Sequence, residues 1–141
     1  MTLPDVSVLI AAFQQEHQFH SECRGWLERT LRSDQAFGCS ELVCCAFTRI
    51  VTNPRAMRSP ASLADAFQFA NAIMRPAHAI RVSPGSRHWE IFTRLCLDTH
   101  VKGTVVADAY YAALAIEHGC EWITLDGDFA RFKGLRWKRP E

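Results

Sequence analysis

Residues 108–128 read Asp-Ala-Tyr-Tyr-Ala-Ala-Leu-Ala-Ile-Glu-His-Gly-Cys-Glu-Trp-Ile-Thr-Leu-Asp-Gly-Asp, and they join an apolar helix to a strand that ends in aspartates. The pattern predicts a helix over roughly 105–118, which Gly119 terminates in a left-handed conformation. A strand over 121–125 follows directly. Because a helix that runs into a strand is one half of a βαβ unit, this stretch predicts an α/β fold.

The rest of the chain continues the alternation of strands and helices. Short apolar runs predict four more strands, and helical periodicity predicts five more helices, with Ser40 and Ser62 as N-caps. The strands fall at 2–5, 36–39, 79–82 and 134–137, and the helices at 6–13, 19–32, 41–51, 62–74 and 87–98. This order predicts one three-layer α/β/α domain over residues 1–141, with a mainly parallel central sheet of about five strands.

The composition is that of an ordinary globular domain. Hydrophobic residues make up 48% and charged residues 22% of the 141 residues, which excludes a disordered or fibrous chain. No apolar run reaches the roughly 18 residues that a membrane span needs. The N-terminus lacks the basic start and long apolar core of a signal peptide, so we predict a cytoplasmic location with no membrane partner.

The six cysteines and six histidines form no recognisable metal motif. No CxxC pair or zinc-type spacing occurs, so we predict that the cysteines are buried free thiols. The nucleophile pattern GxSxG, the zinc pattern HExxH and a glycine-rich phosphate loop are also absent. The predicted thiols are Cys23, Cys39, Cys44, Cys45, Cys96 and Cys120.

Five acidic residues lie where strands end or helices begin, namely Asp5, Glu41, Asp108, Asp126 and Asp128. Ligand sites of parallel sheets form beyond the carboxyl ends of the strands, where these side chains can meet. The helix dipole alone would explain Glu41 or Asp108 taken singly. Two carboxylates about 4 Å apart repel by roughly 4 kcal/mol at an effective dielectric constant of about 20, so a converged set favours a bound cation. Ligands that are all oxygen favour Mg²⁺ or Mn²⁺, ions suited to phosphodiester hydrolysis.

At these residues the chain resembles a PIN domain and, more narrowly, the VapC toxins of type II toxin–antitoxin pairs. The matching segments cover nearly the whole chain in the expected order, and that order is more specific than any one segment. They are Leu-Pro-Asp-Val-Ser-Val-Leu-Ile (3–10), Ser-Glu-Leu-Val (40–43), Arg-Ile-Val-Thr-Asn-Pro-Arg (49–55), Asp-Ala-Tyr-Tyr-Ala-Ala-Leu-Ala-Ile-Glu-His-Gly (108–119) and Thr-Leu-Asp-Gly-Asp-Phe-Ala-Arg-Phe (124–132).

The resemblance implies an acidic metal site in which Asp128 is an auxiliary ligand or a neighbour of the ligands. The ligands it implies are Asp5, Glu41, Asp108 and Asp126. Ser7 stands where many relatives have Asn, and its hydroxyl is expected to donate a hydrogen bond to Asp5. Thr124 is expected to orient the site through its hydroxyl. The alternatives are an ordinary helix N-cap for Ser7 and an ordinary strand residue for Thr124.

The resemblance also implies a function. It is that of an Mg²⁺- or Mn²⁺-dependent endoribonuclease that cuts structured RNA with a metal-activated water and leaves 5′-phosphate and 3′-hydroxyl ends. It implies a homodimer and a VapB-type antitoxin, and DNA is reached only through the antitoxin complex. An arginine from the antitoxin tail would compete with the metal by neutralising the same carboxylates.

Two basic clusters are candidates for RNA contact. Arginine forks onto phosphates and aromatic rings stack on unpaired bases, although a solvated tail with core aromatics explains the second cluster equally well. The first cluster is Arg49, Arg55 and Arg58; the second is Arg131, Lys133, Arg136, Lys138 and Arg139, interleaved with Phe129, Phe132 and Trp137. Tyr111, which follows Asp108 by one helical turn, is expected to pack in the core.

Other functions on related folds fit less well. A receiver domain needs an acidic pair after its first strand, and a haloacid-dehalogenase phosphatase needs Asp-x-Asp there, where residue 7 is serine. A PIN-type nuclease acting on DNA would share all the carboxylates. A non-catalytic PIN-like module that only binds nucleic acid would normally have lost one of them. The last two remain the alternatives to an RNase toxin.

Overall fold

Five short strands and six α-helices alternate along the chain in the computed structural model, which describes all 141 residues. The strands are β1 (Thr2–Pro4), β2 (Phe37–Cys39), β3 (Ala79–Arg81), β4 (Glu121–Ile123) and β5 (Trp137–Lys138). The helices are α1 (Val6–Phe13), α2 (His20–Arg32), α3 (Glu41–Val51), α4 (Leu63–Met74), α5 (His88–Thr99) and α6 (Val105–Glu117), and a 3₁₀ helix covers Gly127–Arg131.

All strand pairs are parallel, as predicted, but they form two hydrogen-bonded groups. One group has the order β1-β4-β5 and the other pairs β2 with β3. The groups meet at Gly38, where a Cβ atom would lie 3.2 Å from the carbonyl oxygen of Thr2 and 3.3 Å from Leu3 Cδ1. Glycine permits this close approach because it has no side chain. Strand β1 therefore lies between β2 and β4. Ligand sites of parallel sheets form beyond the carboxyl ends of such strands.

The helix ends confirm the local sequence signals. Ser40 Oγ accepts from the Val43 N–H at 3.5 Å, and Ser62 Oγ accepts from the Asp65 N–H at 3.1 Å, as N-caps do. Gly119 has a φ of 65°, the left-handed conformation expected after α6. The last strand differs from the predicted 134–137, because β5 exists only where Trp137 pairs with Trp122 of β4.

Thirty buried hydrophobic residues form one core between the helices and the strands. All six cysteines are free, as predicted, but Cys45 is exposed and Cys96 is only half-buried. The apolar run that contains Cys45 turns this residue outward, so the prediction that it is buried was wrong. Burial raises the pKa of Cys44 to about 12 and that of Cys23 to about 11, which keeps both thiols protonated. No helix has the length and apolar character that crossing a bilayer requires.

Candidate active site

Asp5 is the buried centre of the candidate site. It follows β1 directly and caps α1, since its Oδ1 accepts from the Val6 N–H at 2.7 Å. Its own N–H donates to the Ile123 carbonyl of β4 at 2.8 Å. Only 7% of the residue is exposed. The junction of β1, β4 and α1 therefore holds this carboxylate in place.

Two hydroxyl groups hold the second carboxylate oxygen of Asp5. Thr124 donates to Oδ2 at 2.6 Å and Ser7 donates to it at 2.9 Å. The same hydroxyls also accept backbone N–H groups, Thr124 from Asp126 at 3.0 Å and Ser7 from Leu125 at 3.2 Å. Ser7 thus bonds to Asp5 as expected, and the N-cap of α1 is Asp5 rather than Ser7. The fully buried Thr124 fastens the turn after β4 to the end of β1.

Asp126 and Asp128 lie on the exposed turn that follows β4. Asp126 caps the 3₁₀ helix, because its Oδ1 accepts from the Asp128 N–H at 2.9 Å. The Asp128 side chain is 77% exposed and lies 3.4 Å from the guanidinium of Arg131. The pKa of Asp5 is raised chiefly by burial, opposed by the hydrogen bonds from Thr124, Ser7 and Val6, and raised further by the charge of Asp126.

Asp108 projects toward this turn from the first part of α6. Burial is the main cause that raises the pKa of Asp108, and the negative charges of Asp5, Asp126 and Asp128 raise it further. The positive charge of Arg131 opposes the shift. The fold therefore brings Asp5, Asp126 and Asp128 close enough to Asp108 for their charges to disfavour its ionisation, although these acids lie as much as 123 positions apart in the sequence.

Glu41 is placed differently from the four aspartates. It begins α3, and its Oε1 accepts from Arg81 Nη1 at 2.8 Å. The side chains of Glu41 and Arg81 are 68% and 62% exposed. Burial chiefly raises the pKa of Cys39 and Cys44 and the charge of Glu41 adds to the rise, but Glu41 is not among the charges that shift the pKa of Asp5 or Asp108. Its carboxylate is thus paired at the end of β3 rather than grouped with the aspartates.

The oxygen-rich set has the chemistry to hold a hard divalent cation. No group of three or more histidine, cysteine, aspartate or glutamate side chains is already arranged to hold one. The three inner acids, Asp5, Asp108 and Asp126, take part in no ion pair. Their charges are therefore free to be neutralised by a cation.

Tyr111 borders the site more closely than its expected core role suggested. Its ring stacks on Trp122 with centroids 6.0 Å apart, and the residue is half-buried. Burial is the main cause that raises the pKa of the Tyr111 hydroxyl. The charge of Asp5 raises this pKa further, and the charge of Arg49 opposes the shift. Tyr111 follows Asp108 by three positions, a spacing that places both residues on one face of α6. The apolar residues around Tyr111 make this face look like core in the sequence.

The second basic cluster serves mainly to attach the C-terminal segment. Arg136 donates to the Gly119 carbonyl at 2.7 Å, and Lys138 lies 3.2 Å from Glu121. Arg139 donates to the Leu125 carbonyl at 2.9 Å and stacks over the Phe19 ring. The interleaved Phe129 and Phe132 are buried in the core and Trp137 is half-buried, so the first two rings are not free to stack on bases.

Comparison with known proteins places these residues in a family. The family model of the PIN domain matches residues 2–135, a range that contains every acid of the site. VapC ribonuclease Mb2897 of Mycobacterium bovis is 39% identical over 140 residues, which cover 99% of this chain and 95% of that protein. Ribonuclease VapC25 of Mycobacterium tuberculosis is 40% identical over 140 residues, with 99% of both chains covered.

Solved structures match the fold as well. VapBC2 from Rickettsia felis, bound to a DNA fragment from their promoter, aligns with a TM-score of 0.71 at 14% identity and covers 99% of this chain and 98% of that one. VapC20 of Mycobacterium tuberculosis, described as a Sarcin-Ricin loop cleaving toxin, aligns with a TM-score of 0.65 at 15% identity over 96% and 99% of the two chains. These likenesses concern the fold alone. The full-length identity to named ribonucleases goes further, and with the family match over the whole site it establishes that the chain belongs to the VapC ribonucleases of the PIN-domain family.

Proposed function

We propose that this VapC ribonuclease is an Mg²⁺- or Mn²⁺-dependent endoribonuclease toxin that hydrolyses phosphodiester bonds in structured RNA at the aspartates around Asp5. The observation that carries the proposal is the grouping of Asp5, Asp108, Asp126 and Asp128; burial chiefly raises the pKa of Asp5 and Asp108, and neighbouring carboxylate charges raise both further. Such a grouping disfavours its own ionisation unless a cation is bound. The identity to named ribonucleases over the full chain supports RNA as the substrate class.

The donor set fits a hard divalent cation, because every side chain in it offers carboxylate oxygens. Asp5, Asp108 and Asp126 would hold the ion, with Asp128 beside them as an auxiliary ligand. Glu41 would join them once its exposed ion pair with Arg81 opens. When bound, the ion supplies Lewis acidity that neutralises phosphate charge and makes its bound water easier to deprotonate.

The protein's own part is to fix the carboxylates before substrate arrives. Ser7 and Thr124 occupy one oxygen of Asp5, and the Val6 N–H occupies the other, so the side chain is held in a single orientation. Thr124 also binds the Asp126 N–H and thereby ties the exposed turn to the buried carboxylate. A site whose ligands are already oriented loses less entropy when it binds an ion and a phosphate.

The proposal includes the partners of a toxin. The VapBC structures that share this fold support a VapB-type antitoxin as partner, and this chain would reach DNA only through that complex. The antitoxin tail would cover the carboxylates, with an arginine taking the place of the cation. The active form would be a homodimer, and an RNA substrate implies action in the cytoplasm.

The test is cleavage by the purified protein, its Asp108→Asn variant and the control Asp34→Asn, which alters an exposed acid elsewhere. Each protein receives a structured RNA and a DNA of matching sequence, with and without Mg²⁺. We expect metal-dependent cleavage of RNA with 5′-phosphate ends, a loss on the order of 100-fold or more in Asp108→Asn, and wild-type rates in Asp34→Asn. Equal cleavage of the DNA would favour a DNA nuclease, and binding of RNA without any cleavage would favour a binding module.

A further inference from the structure

The two outermost acids of the site are each paired with an arginine. Glu41 bonds to Arg81 at 2.8 Å, and Asp128 lies 3.4 Å from Arg131. The three inner acids have no such partner. The acidic centre is therefore bordered on two sides by guanidinium groups that the ligand set does not require.

Arg81 lies at the carboxyl end of β3, on the side of the site formed by the two-stranded group. It lines a groove of about 450 Å³ that also includes Glu41, Leu42 and Cys45. Because its side chain is 62% exposed and makes a single contact with Glu41, most of its N–H donors are unbonded. Arg81 is thus available to a ligand in that groove.

Arg131 lies on the opposite side, at the end of the 3₁₀ helix. Its Nε donates to the Asp128 carbonyl at 2.9 Å, and its guanidinium approaches the Asp128 carboxylate. It is the cation whose charge lowers the pKa of Asp108. Two contacts to one residue therefore hold its charge beside the aspartates.

Two grooves that share Leu42 lead from the Arg81 side to Tyr111, beside the aspartates. Leu42 lines the groove at Arg81 and also a second groove of about 340 Å³, which continues to Tyr110 and Tyr111. Tyr111 is close enough to Asp5 and Asp108 for their charges to raise its pKa. The order across the surface is thus arginine, apolar residues, aspartates, arginine.

RNA that approaches a cluster of carboxylates is repelled, so binding requires cations beside the cluster. Arginine forks onto phosphate oxygens in a bidentate geometry. The ion pair of Arg81 with Glu41 is highly exposed, and such pairs contribute little to stability, so exchange of the carboxylate for a phosphate costs little. If Glu41 joined the aspartates in holding an ion, Arg81 would lose its carboxylate partner and be free for a phosphate.

We propose that Arg81 and Arg131 are positioning residues that bind the RNA phosphates on either side of the scissile one. This inference depends on the proposed ribonuclease function and adds the path of the strand, which runs across the carboxyl edge of the sheet from Arg81 past Tyr111 and the aspartates to Arg131.

The test measures the salt dependence of RNA binding. Fluorescence anisotropy of a fluorescein-labelled single-stranded oligoribonucleotide is recorded over a range of KCl concentrations, in the Asp108→Asn background that prevents cleavage. Arg81→Gln and Arg131→Gln are compared with Arg24→Gln, a matched control because Arg24 forms an equally short exposed pair with Glu28 on α2. Arg81→Lys and Arg131→Lys retain the charge.

Each glutamine variant at the site is expected to reduce the slope of log K against log [KCl] by about 0.7, the value for one phosphate contact on a single strand, and the double variant by about twice that. The lysine variants and Arg24→Gln are expected to keep the wild-type slope. Unchanged slopes in folded Arg81→Gln and Arg131→Gln would overturn the inference, and a change at only one arginine would overturn the two-sided path. Because cleavage by the otherwise unmodified protein is measured separately, failure here is distinguishable from failure of the ribonuclease assignment.

Discussion

At the scale of single residues, the hydroxyl of Thr124 connects the two strand ends that form the site. It donates to Asp5 Oδ2 and accepts from the Asp126 N–H, and it is fully buried. Thr124→Val keeps the shape but leaves a buried carboxylate and an N–H without this partner, which should lower the free energy of unfolding by about 1–3 kcal/mol. Thr124→Ser, the control, keeps the hydroxyl.

Urea unfolding of both Thr124 variants at several pH values checks this prediction. The difference between them should be greatest above the raised pKa of Asp5, where its carboxylate is charged, and should shrink as the pH falls through that pKa. A difference that does not change with pH would mean that the hydroxyl does not act through the Asp5 carboxylate.

Asp108 should destabilise the metal-free protein at neutral pH. Its pKa in the folded state is raised above the ordinary 3.8 by burial and by the neighbouring aspartates, so the folded state binds the proton more tightly than the unfolded state does. The free energy of unfolding therefore falls as pH rises from about that value through the raised pKa. Asp108→Asn removes this loss.

Melting temperatures measured in EDTA test whether Asp108 destabilises the metal-free protein. The Asp108→Asn variant should have a higher melting temperature than the wild type at pH 7. The two melting temperatures should converge at pH values below 3.8, where the side chain at position 108 is neutral in both proteins. Asp34→Asn serves as the control for removing an exposed charge. A lower melting temperature for Asp108→Asn at pH 7 would show that Asp108 is stabilised by contacts rather than strained by its neighbours.

The residues themselves were predictable to different degrees. The grouping of the four aspartates was predictable from their places at strand ends and in a helix start, because the carboxyl ends of parallel strands share one edge of the sheet. The pairing of Glu41 with Arg81 joins residues 40 positions apart and depends on how β2 and β3 align, which no local pattern reports. Whether Glu41 joins the aspartates thus stays a prediction.

At the scale of elements, Glu117 at the end of α6 attaches the loop between β3 and α5. Its carboxylate accepts from the Gly85 N–H at 2.8 Å and the Arg87 N–H at 3.0 Å, and its side chain is 9% exposed. A Cβ atom at Gly85 would lie 2.8 Å from Glu117 Oε2. The loop and α5 therefore depend on one carboxylate in close contact with a glycine.

Gly85→Ala and Glu117→Ala should each lower the free energy of unfolding by about 1–2 kcal/mol, because either change disrupts the same two hydrogen bonds. Their effects should be less than additive in the double variant, since the added methyl has no carboxylate to displace once Glu117 is gone. Glu28→Ala, which removes only an exposed pair with Arg24, should leave the free energy of unfolding nearly unchanged. Additive losses in urea unfolding would contradict the shared role.

The helices and strands show which local sequence signals are sufficient to predict where an element begins and ends. The N-caps at Ser40 and Ser62 and the left-handed Gly119 were predictable because each is decided by a few adjacent residues. Strand β5 was placed too early because a two-residue edge strand exists only where its neighbour pairs with it. Cys45 was assigned to the core because its apolar neighbours suggest burial, although it lies on the exposed face of α3.

At the scale of the whole molecule, a net charge of +1 conceals an uneven distribution. Four aspartates gather at one edge of the sheet, and Arg81 and Arg131 lie at its borders. A polyanion would be repelled by the centre alone and attracted by its borders. This arrangement is what the proposed binding of both a divalent cation and RNA to one surface requires.

The most direct test of the account is isothermal titration calorimetry with Mn²⁺ on the wild type, Asp108→Asn and Asp34→Asn. Binding of the cation at the aspartates predicts saturable binding by the wild type and Asp34→Asn, and at least about 10-fold weaker binding by Asp108→Asn, the loss that corresponds to about 1.4 kcal/mol. Equal affinity of Asp108→Asn and the wild type would place the cation elsewhere and contradict the central claim that these carboxylates form the metal-dependent site for RNA hydrolysis.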